Sequence, residues 1–566
     1  MRKKIVCRSL CLLLCLLLCA CSGAESASAH GRTPFTQMTL SGVGQEGIPR
    51  QLEALEAYIS SGGEKELAFQ RYEALLKAYE TLKGEETLLY IRRCRNMEDA
   101  AAAAAYGAMA DDSSRAGALL TELEQQLMER WPEAFDPAYI QKVQSTDRLW
   151  SRKTQFLLEK EHRLCEAYEK LRTELTVEYQ GRSWSYRQLR EAENITFREF
   201  FAVLELYESA FYSRAGVIYL QLLALRKEQA KLLGFPSYAH WAYTRYKREY
   251  SPEQALELNQ AVKECFGPLY KTYRRQLDEE MEHLGSGVFD RDTALKEIRQ
   301  ALDKTGVSQA GEAWDYMLTY ELLDDAPSSH KLQGSFTAYL QGYECPYLFT
   351  QWESKAASIS TLLHEFGHFL AYYVNPQATY YEGGGLDLAE VDSQGMELLL
   401  FDQYEALFGS YAEPARSRAL LDGLYAVLAG FMEDEFQQRA LEMEAPTVEK
   451  LNNLYLKLAG EYGLIEVFRY SGREWMDVSH TFSFPFYYVS YGVSMLGALS
   501  LWQKEQRRPG SGWRAYGKLL HRRGTWDFSY VMGRCGTGDI LSPKGIEIVA
   551  AGVEAYLKAC VFRQAA

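Results

Sequence analysis

Apolar residues recur at three- and four-residue intervals along most of this chain beyond residue 47, and that period restricts the fold to one built mainly from packed helices. In ALLTELEQQLMERWP, residues 118–132, Leu120, Leu123, Leu127 and Trp131 form one stripe, and Pro132 halts the run. Comparable amphipathic runs span residues 52–81, 152–177, 196–233, 252–284 and 447–462. The alanines from Ala100 are good helix formers, and ADDSS after them supplies an expected break and cap. Strand signals are sparse. CPYLFTQW, residues 345–352, is the clearest, aromatic and bounded by Gly342. These patterns predict a mainly α protein with a small β-sheet next to one helix. The most loop-like break, LLDDAPSSHKLQGS at 322–335, would divide an N-terminal helical region, 47–330, from a C-terminal region, 331–566.

The stretch TLLHEFGHFLAYY, residues 361–373, sets His364 and His368 four positions apart with Glu365 between them, in a chain that has only nine histidines. On a helical wheel Ile359, Leu362, Phe366, Phe369, Leu370 and Tyr373 cluster on one side, and the two histidines with Ala371 face another. The histidines are therefore not part of the core stripe. Imidazoles one turn apart can bind one zinc ion, and Glu365, about 100° round the helix, can reach a water there without ligating the metal. A protein site needs a third ligand. Asn375-Pro376 ends the first helix, EGGGLD at 382–387 gives a reversal, and LDLAEVDSQGMELLLF is helical again. There Glu390, Ser393 and Glu397 share a face. Glu390 is the expected third ligand, with Glu382, Asp387 and Asp392 as competitors. Glu397 is either an acceptor that orients a histidine ring or an ordinary helix carboxylate.

HEFGH followed by EVDSQGME resembles the thimet oligopeptidase and oligoendopeptidase F family of zinc metallopeptidases, whose pattern is H-E-x-G-H and then E-x-x-S-x-x-x-E. Further similar segments follow in the same chain order: LLGFPSYAHW at 232–241, CPYLFTQW before the histidine helix, HTFSFPFYYVSY at 480–491 and YVMGRCGTGDILSPKGIEI at 530–548. Pro485-Phe486-Tyr487-Tyr488 points to the oligoendopeptidase F branch. The likeness runs from residue 230 to the C-terminus; before that only helical character agrees. Ala371 departs from the pattern of members that carry a further histidine there, a residue that is not a ligand in the family.

The resemblance implies one zinc ion on His364, His368 and Glu390, with Glu365 as the general base that moves a proton from water to the leaving amine. It places His480 and Tyr488 or Tyr491 at the oxyanion. The implied fold is a helical ellipsoid split by a deep channel, which would admit short unfolded oligopeptides as substrates. The strand at Tyr347, Leu348 and Phe349 is expected to offer backbone groups to an extended peptide. The rival reading is a peptide-binding lipoprotein that keeps the channel and does not cleave. An intact Glu365 argues against it, because binding alone needs no base.

The N-terminus carries a different message. MRKKIVCRSLCLLLCLLLCAC has a basic start and a short apolar stretch, which reads as a signal peptide over residues 1–20. Leu18-Cys19-Ala20-Cys21 resembles the lipobox of bacterial lipoproteins, so Cys21 is the expected lipidation site and membrane anchor, outside the cytoplasm. Residues 21–46, small and polar at first, read as a flexible tether. Loss of Arg2, Lys3, Lys4 and Arg8 with the signal moves the net charge from −14 to −18. Such an acidic protein is a poor binder of nucleic acid, and acyl chains rather than a basic patch would hold it to a membrane. Six cysteines lie beyond Cys21, none in a short metal-binding or redox spacing; disulfides and buried thiols are both open.

Overall fold

The computed structural model describes residues 30–42, 47–135, 152–190, 192, 194–381, 385–465, 468 and 470–564. The expected signal peptide, Cys21 and Glu382 lie outside the described residues. The chain is mainly helical, as its period requires, and divides into two compact units, Met1–Arg148 with Val288–Tyr381 and Leu149–Gly287 with Glu382–Ala566.

The first unit begins with three helices, Ile48–Ser60, Lys65–Arg95 and Ala100–Arg130, which share a core of Leu52, Leu55, Phe69, Leu120, Leu123 and Leu127. Two boundaries differ from the sequence reading. The run expected over 52–81 is cut at Gly62, whose φ of 97° turns the chain out of the helix. ADDSS breaks nothing: Asp99 caps that helix by accepting the amides of Ala101 and Ala102, and Ser113 is buried within it.

A three-stranded sheet follows. Cys345–Phe349 is its central strand, parallel to Leu323–Asp324 and antiparallel to Phe336–Leu340, with Thr337 opposite Leu348. The helix Ala356–Val374, hereafter the histidine helix, packs on this sheet. Its apolar stripe is the predicted one: Ile359, Leu362, Phe366, Phe369 and Leu370 are fully buried, each stabilising the fold by about 1.5–3 kcal/mol relative to exposure. Phe366 meets Trp314 edge-on at 4.9 Å. Tyr339 contacts Tyr372 of the histidine helix, and Phe336, on the opposite face of the strand, contacts Tyr90.

Two expectations about loops are corrected here. The stretch 322–335 is no boundary, because both compact units divide elsewhere and Lys331 pins it inside the first. The Lys331 ammonium is buried and donates to Asp324 Oδ1 at 3.0 Å and to the carbonyls of Ala326 and Thr350 at 3.0 and 2.7 Å. The expected tether is docked over its described part, 30–42. Phe35 and Met38 are buried, the Phe35 amide donates to the Tyr320 carbonyl at 3.0 Å, and Arg92 reaches the Met38 carbonyl at 2.6 Å.

In the second unit, Phe197–Leu233 starts at a capping box of Thr196 and Glu199 and ends at left-handed Gly234. The helices Leu386–Leu399, Ala412–Glu442 and Val489–Arg507 pack together. The last two approach closely through glycines: a Cβ on Gly430 would lie 2.9 Å from the Gly492 nitrogen. Cys94, Cys165, Cys265, Cys345, Cys535 and Cys560 are all free thiols. No described helix is long and apolar enough to cross a membrane.

Candidate metal centre

Within the histidine helix the two imidazoles stand one turn apart, ring centroids 5.2 Å from each other. Glu365 is buried beside them, 6% exposed. A strand residue that the sequence did not single out fixes its carboxylate: Thr337 Oγ1 donates to Glu365 Oε2 at 2.9 Å and shares the proton with the Glu365 carbonyl at 2.8 Å.

The helix Leu386–Leu399 carries Glu390, 7% exposed, and Ser393 one turn later donates to its Oε2 at 3.0 Å. His364, His368 and Glu390 each offer one ligand atom, and the three atoms lie within 4.8 Å of one another; among the described residues this is the group able to hold a metal ion. Two nitrogens and one carboxylate oxygen make the donor set of a three-ligand zinc site, which leaves a position for water or substrate, so the residues fit the ion. The described competitors have other partners. Asp387 is paired with buried Arg248 at 3.5 Å and accepts from Ser490 at 2.6 Å, and Asp392 holds Arg522 through two bonds of 2.8 and 2.6 Å. Glu397 lies two turns beyond Glu390, half-buried, with its carbonyl accepting from Tyr404 at 3.2 Å.

His480, Tyr488 and Tyr491 lie together. The His480 ring lies 5.3 Å from Tyr488 and 5.8 Å from Tyr491, both edge-on, and 5.3 Å from Tyr487, which belongs to the same cluster. Burial lowers the His480 pKa, Glu390 opposes that, and Arg172 adds to it, so the ring is neutral at pH 7. Burial raises both Tyr488 and Tyr491 far above neutrality, Tyr491 further through Glu390, which keeps each phenol a proton donor.

Buried groups hold this cluster from behind. Arg226, paired with Glu161 at 2.8 Å, donates to the carbonyls of Thr481 and Phe482 next to His480. Tyr168 stacks on Phe482 at 3.7 Å. Thr481 Oγ1 donates to buried Glu433 at 3.2 Å. Sequence reasoning missed Arg226, Arg248 and Thr337, for which no local pattern gives a signal; Ser393 was visible through its spacing alone.

The expected peptide-pairing strand is corrected. Tyr347, Leu348 and Phe349 lie in the centre of the sheet, with Leu348 and Phe349 paired on both sides, so their backbone groups are committed. Phe336–Leu340, which carries Thr337, is an edge strand of that sheet. His162, His240 and His330 meet Glu166, Glu253 and Glu98, in keeping with surface roles.

A buried glutamate beside a two-histidine, one-glutamate group on a helical scaffold is an arrangement that suits a metallopeptidase. Residues 307–539 match the model of Peptidase family M3, a stretch that contains all these groups. The chain is 27% identical to Oligopeptidase PepF of Bacillus subtilis (strain 168) over 217 residues, 35% of this chain and 31% of that protein, so the match spans under a third of the relative's length. Its fold is similar to that of PZ peptidase A with inhibitor 2, with a TM-score of 0.74 at 19% identity over 93% of this chain and 99% of that one. It is also similar to oligoendopeptidase-F from Enterococcus faecium, with a TM-score of 0.58 at 16% identity over 92% and 98%. The comparisons agree with the resemblance that the motifs carry: residues 307–539 are similar to M3 peptidases, the mainly α fold is that of the solved neighbours, and His364, His368 and Glu390 form a group consistent with a zinc site.

Proposed function

We propose that this chain is a zinc endopeptidase that hydrolyses short, unfolded oligopeptides outside the cytoplasm while anchored through a lipid on Cys21. The observation that carries the catalytic reading is the grouping of His364, His368 and Glu390 within 4.8 Å, with the two histidines on a helix whose Glu365 is held by Thr337. Zinc, when bound, supplies a Lewis acid that makes water acidic near neutral pH.

The rest is chemistry of the chain itself. The Glu365 carboxylate accepts the proton of the attacking water and passes it to the leaving amine. His480, Tyr488 and Tyr491 donate to the oxyanion as it forms on the scissile carbonyl. Glu397 orients a histidine ring. The edge strand Phe336–Leu340 takes the extended substrate backbone in place of Tyr347–Phe349. Restriction to short peptides rests on the family likeness.

Anchoring rests on the Leu18-Cys19-Ala20-Cys21 sequence and on an acidic charge that gives no electrostatic hold on an anionic membrane. The catalytic test is incubation with mixed quenched fluorescent peptides alongside metal analysis. Stoichiometric zinc with chelator-sensitive cleavage is expected; binding without turnover would favour the non-catalytic lipoprotein. The location test is acyl labelling of the full chain against Cys21→Ala, with label and membrane-fraction signal expected only in the unmodified chain.

A further inference from the structure

Arg248 is completely buried and sits where three separated pieces of chain meet. Its guanidinium lies 3.5 Å from Asp387, in the first turn of the helix that carries Glu390. Its Nη2 donates to the carbonyl of Phe486 at 2.6 Å and to Ser490 Oγ at 2.9 Å, and Ser490 in turn donates to Asp387 at 2.6 Å. Ser494, one turn further, donates to the Asp387 carbonyl at 2.6 Å.

Phe486 is the residue that needs holding. It has φ of 64°, a left-handed conformation that a bulky side chain adopts only when its surroundings impose it. Gln437 accepts its amide proton at 2.9 Å and Arg248 occupies its carbonyl, so both backbone groups of the strained residue are fixed by side chains distant in sequence. The turn it makes delivers Tyr487, Tyr488 and Tyr491 to His480. Asp387 and Glu390 lie three residues apart on one helix face. One planar cation therefore ties the carboxylate ligand and the phenol donors to a single reference point.

We propose that Arg248 is a positioning residue that sets the register between Glu390 and the tyrosines of the 487–491 segment, through Asp387, Ser490 and the Phe486 carbonyl. Lysine is a poor replacement, because its single ammonium cannot hold the Phe486 carbonyl and Ser490 from the Nη2 position and also keep positive charge beside Asp387 at the Nε position. The proposal rests on the metallopeptidase reading for its catalytic consequence only; the coupling itself belongs to the metal-free chain.

The test uses the full chain with Arg248→Lys and the milder Ser490→Ala. In the metal-free protein, hydrogen exchange of amides 387–391 and 486–491 is expected to quicken together in both variants, while the helix Phe197–Leu233 keeps its protection. With zinc added, Arg248→Lys is expected to weaken zinc affinity and lower kcat by about 10–100-fold each, as loss of an outer-shell partner does, with KM within about twofold. Ser490→Ala should show the same pattern at smaller size. Unchanged exchange in both segments, or exchange that quickens in one alone, overturns the clamp whatever the metal does. An unmodified chain that binds no zinc sinks the peptidase reading instead, and the exchange result still decides the clamp. Should Arg248→Lys fail to fold, Ser490→Ala decides it.

Discussion

Thr337 Oγ1 lies 2.9 Å from Oε2 of Glu365, so the edge strand of the sheet, and not the histidine helix alone, orients the proposed base. A helix glutamate with three free torsions would sample several positions, whereas this one is tethered by a β-branched side chain with few rotamers of its own. Glu365→Gln is expected to keep stoichiometric zinc and lose about 10²–10⁴-fold in kcat, the usual range for a general base. Thr337→Val, nearly isosteric, is expected to cost less and leave KM unchanged. Metal analysis and steady-state kinetics on one quenched peptide check both, and substantial turnover by Glu365→Gln would remove Glu365 from its role.

The proposed metal ligand Glu390 has its own support. Ser393 donates to Glu390 Oε2 from one turn away. Glu390→Ala is expected to abolish stoichiometric zinc at micromolar metal. Ser393→Ala should weaken zinc binding by about 10–100-fold, measured by competition with a chromophoric chelator, because a ligand loses the bond that orients it. Equal zinc affinity in Ser393→Ala and the unmodified chain would leave that hydroxyl without a part in the site.

Much of this centre was legible in sequence, and the reason is local. His364 and His368 are one helical turn apart and Glu390 follows after one reversal, so period and spacing alone nearly assemble them. What escaped is non-local. That Cys345–Phe349 is a strand was readable; that it is the central one depends on Leu323–Asp324 and Phe336–Leu340, two pairings no window around residue 345 contains. The left-handed Phe486 has no glycine to announce it, because Arg248 and Gln437 enforce its backbone from more than forty residues away. Residues 322–335 look like a linker by composition, yet a buried Lys331 with carbonyl and carboxylate acceptors makes them part of a core.

The two tyrosines separate by experiment. Both phenols stay protonated at neutral pH, and both contact His480. The one that meets the oxyanion should lose about 10²–10³-fold in kcat as the phenylalanine variant, about 2.7–4 kcal/mol, with little change in KM. The other should show a small effect of packing alone. Tyr488→Phe and Tyr491→Phe compared on one substrate assign the donor, and a shift below tenfold in both would leave the oxyanion to other groups.

Glu433 links the site to pH. Burial pushes its carboxyl up to about 7, while hydrogen bonds from Tyr455 at 2.5 Å and Thr481 at 3.2 Å pull the other way. A folded pKa above the unfolded value means the folded state holds the proton longer, so this group lowers stability as pH rises from about 4.5 to about 7. Below that window both states are protonated and the contribution vanishes. In Glu433→Gln, which cannot ionise, the fall in chemical-denaturation stability between pH 5 and pH 7.5 is expected to be shallower than in the unmodified chain. Because Thr481 sits next to His480, the same variant should also shift the pH–kcat profile. A stability profile parallel to that of the unmodified chain across the window would show that Glu433 is ionised throughout, held by its two hydroxyl donors against the cost of burial.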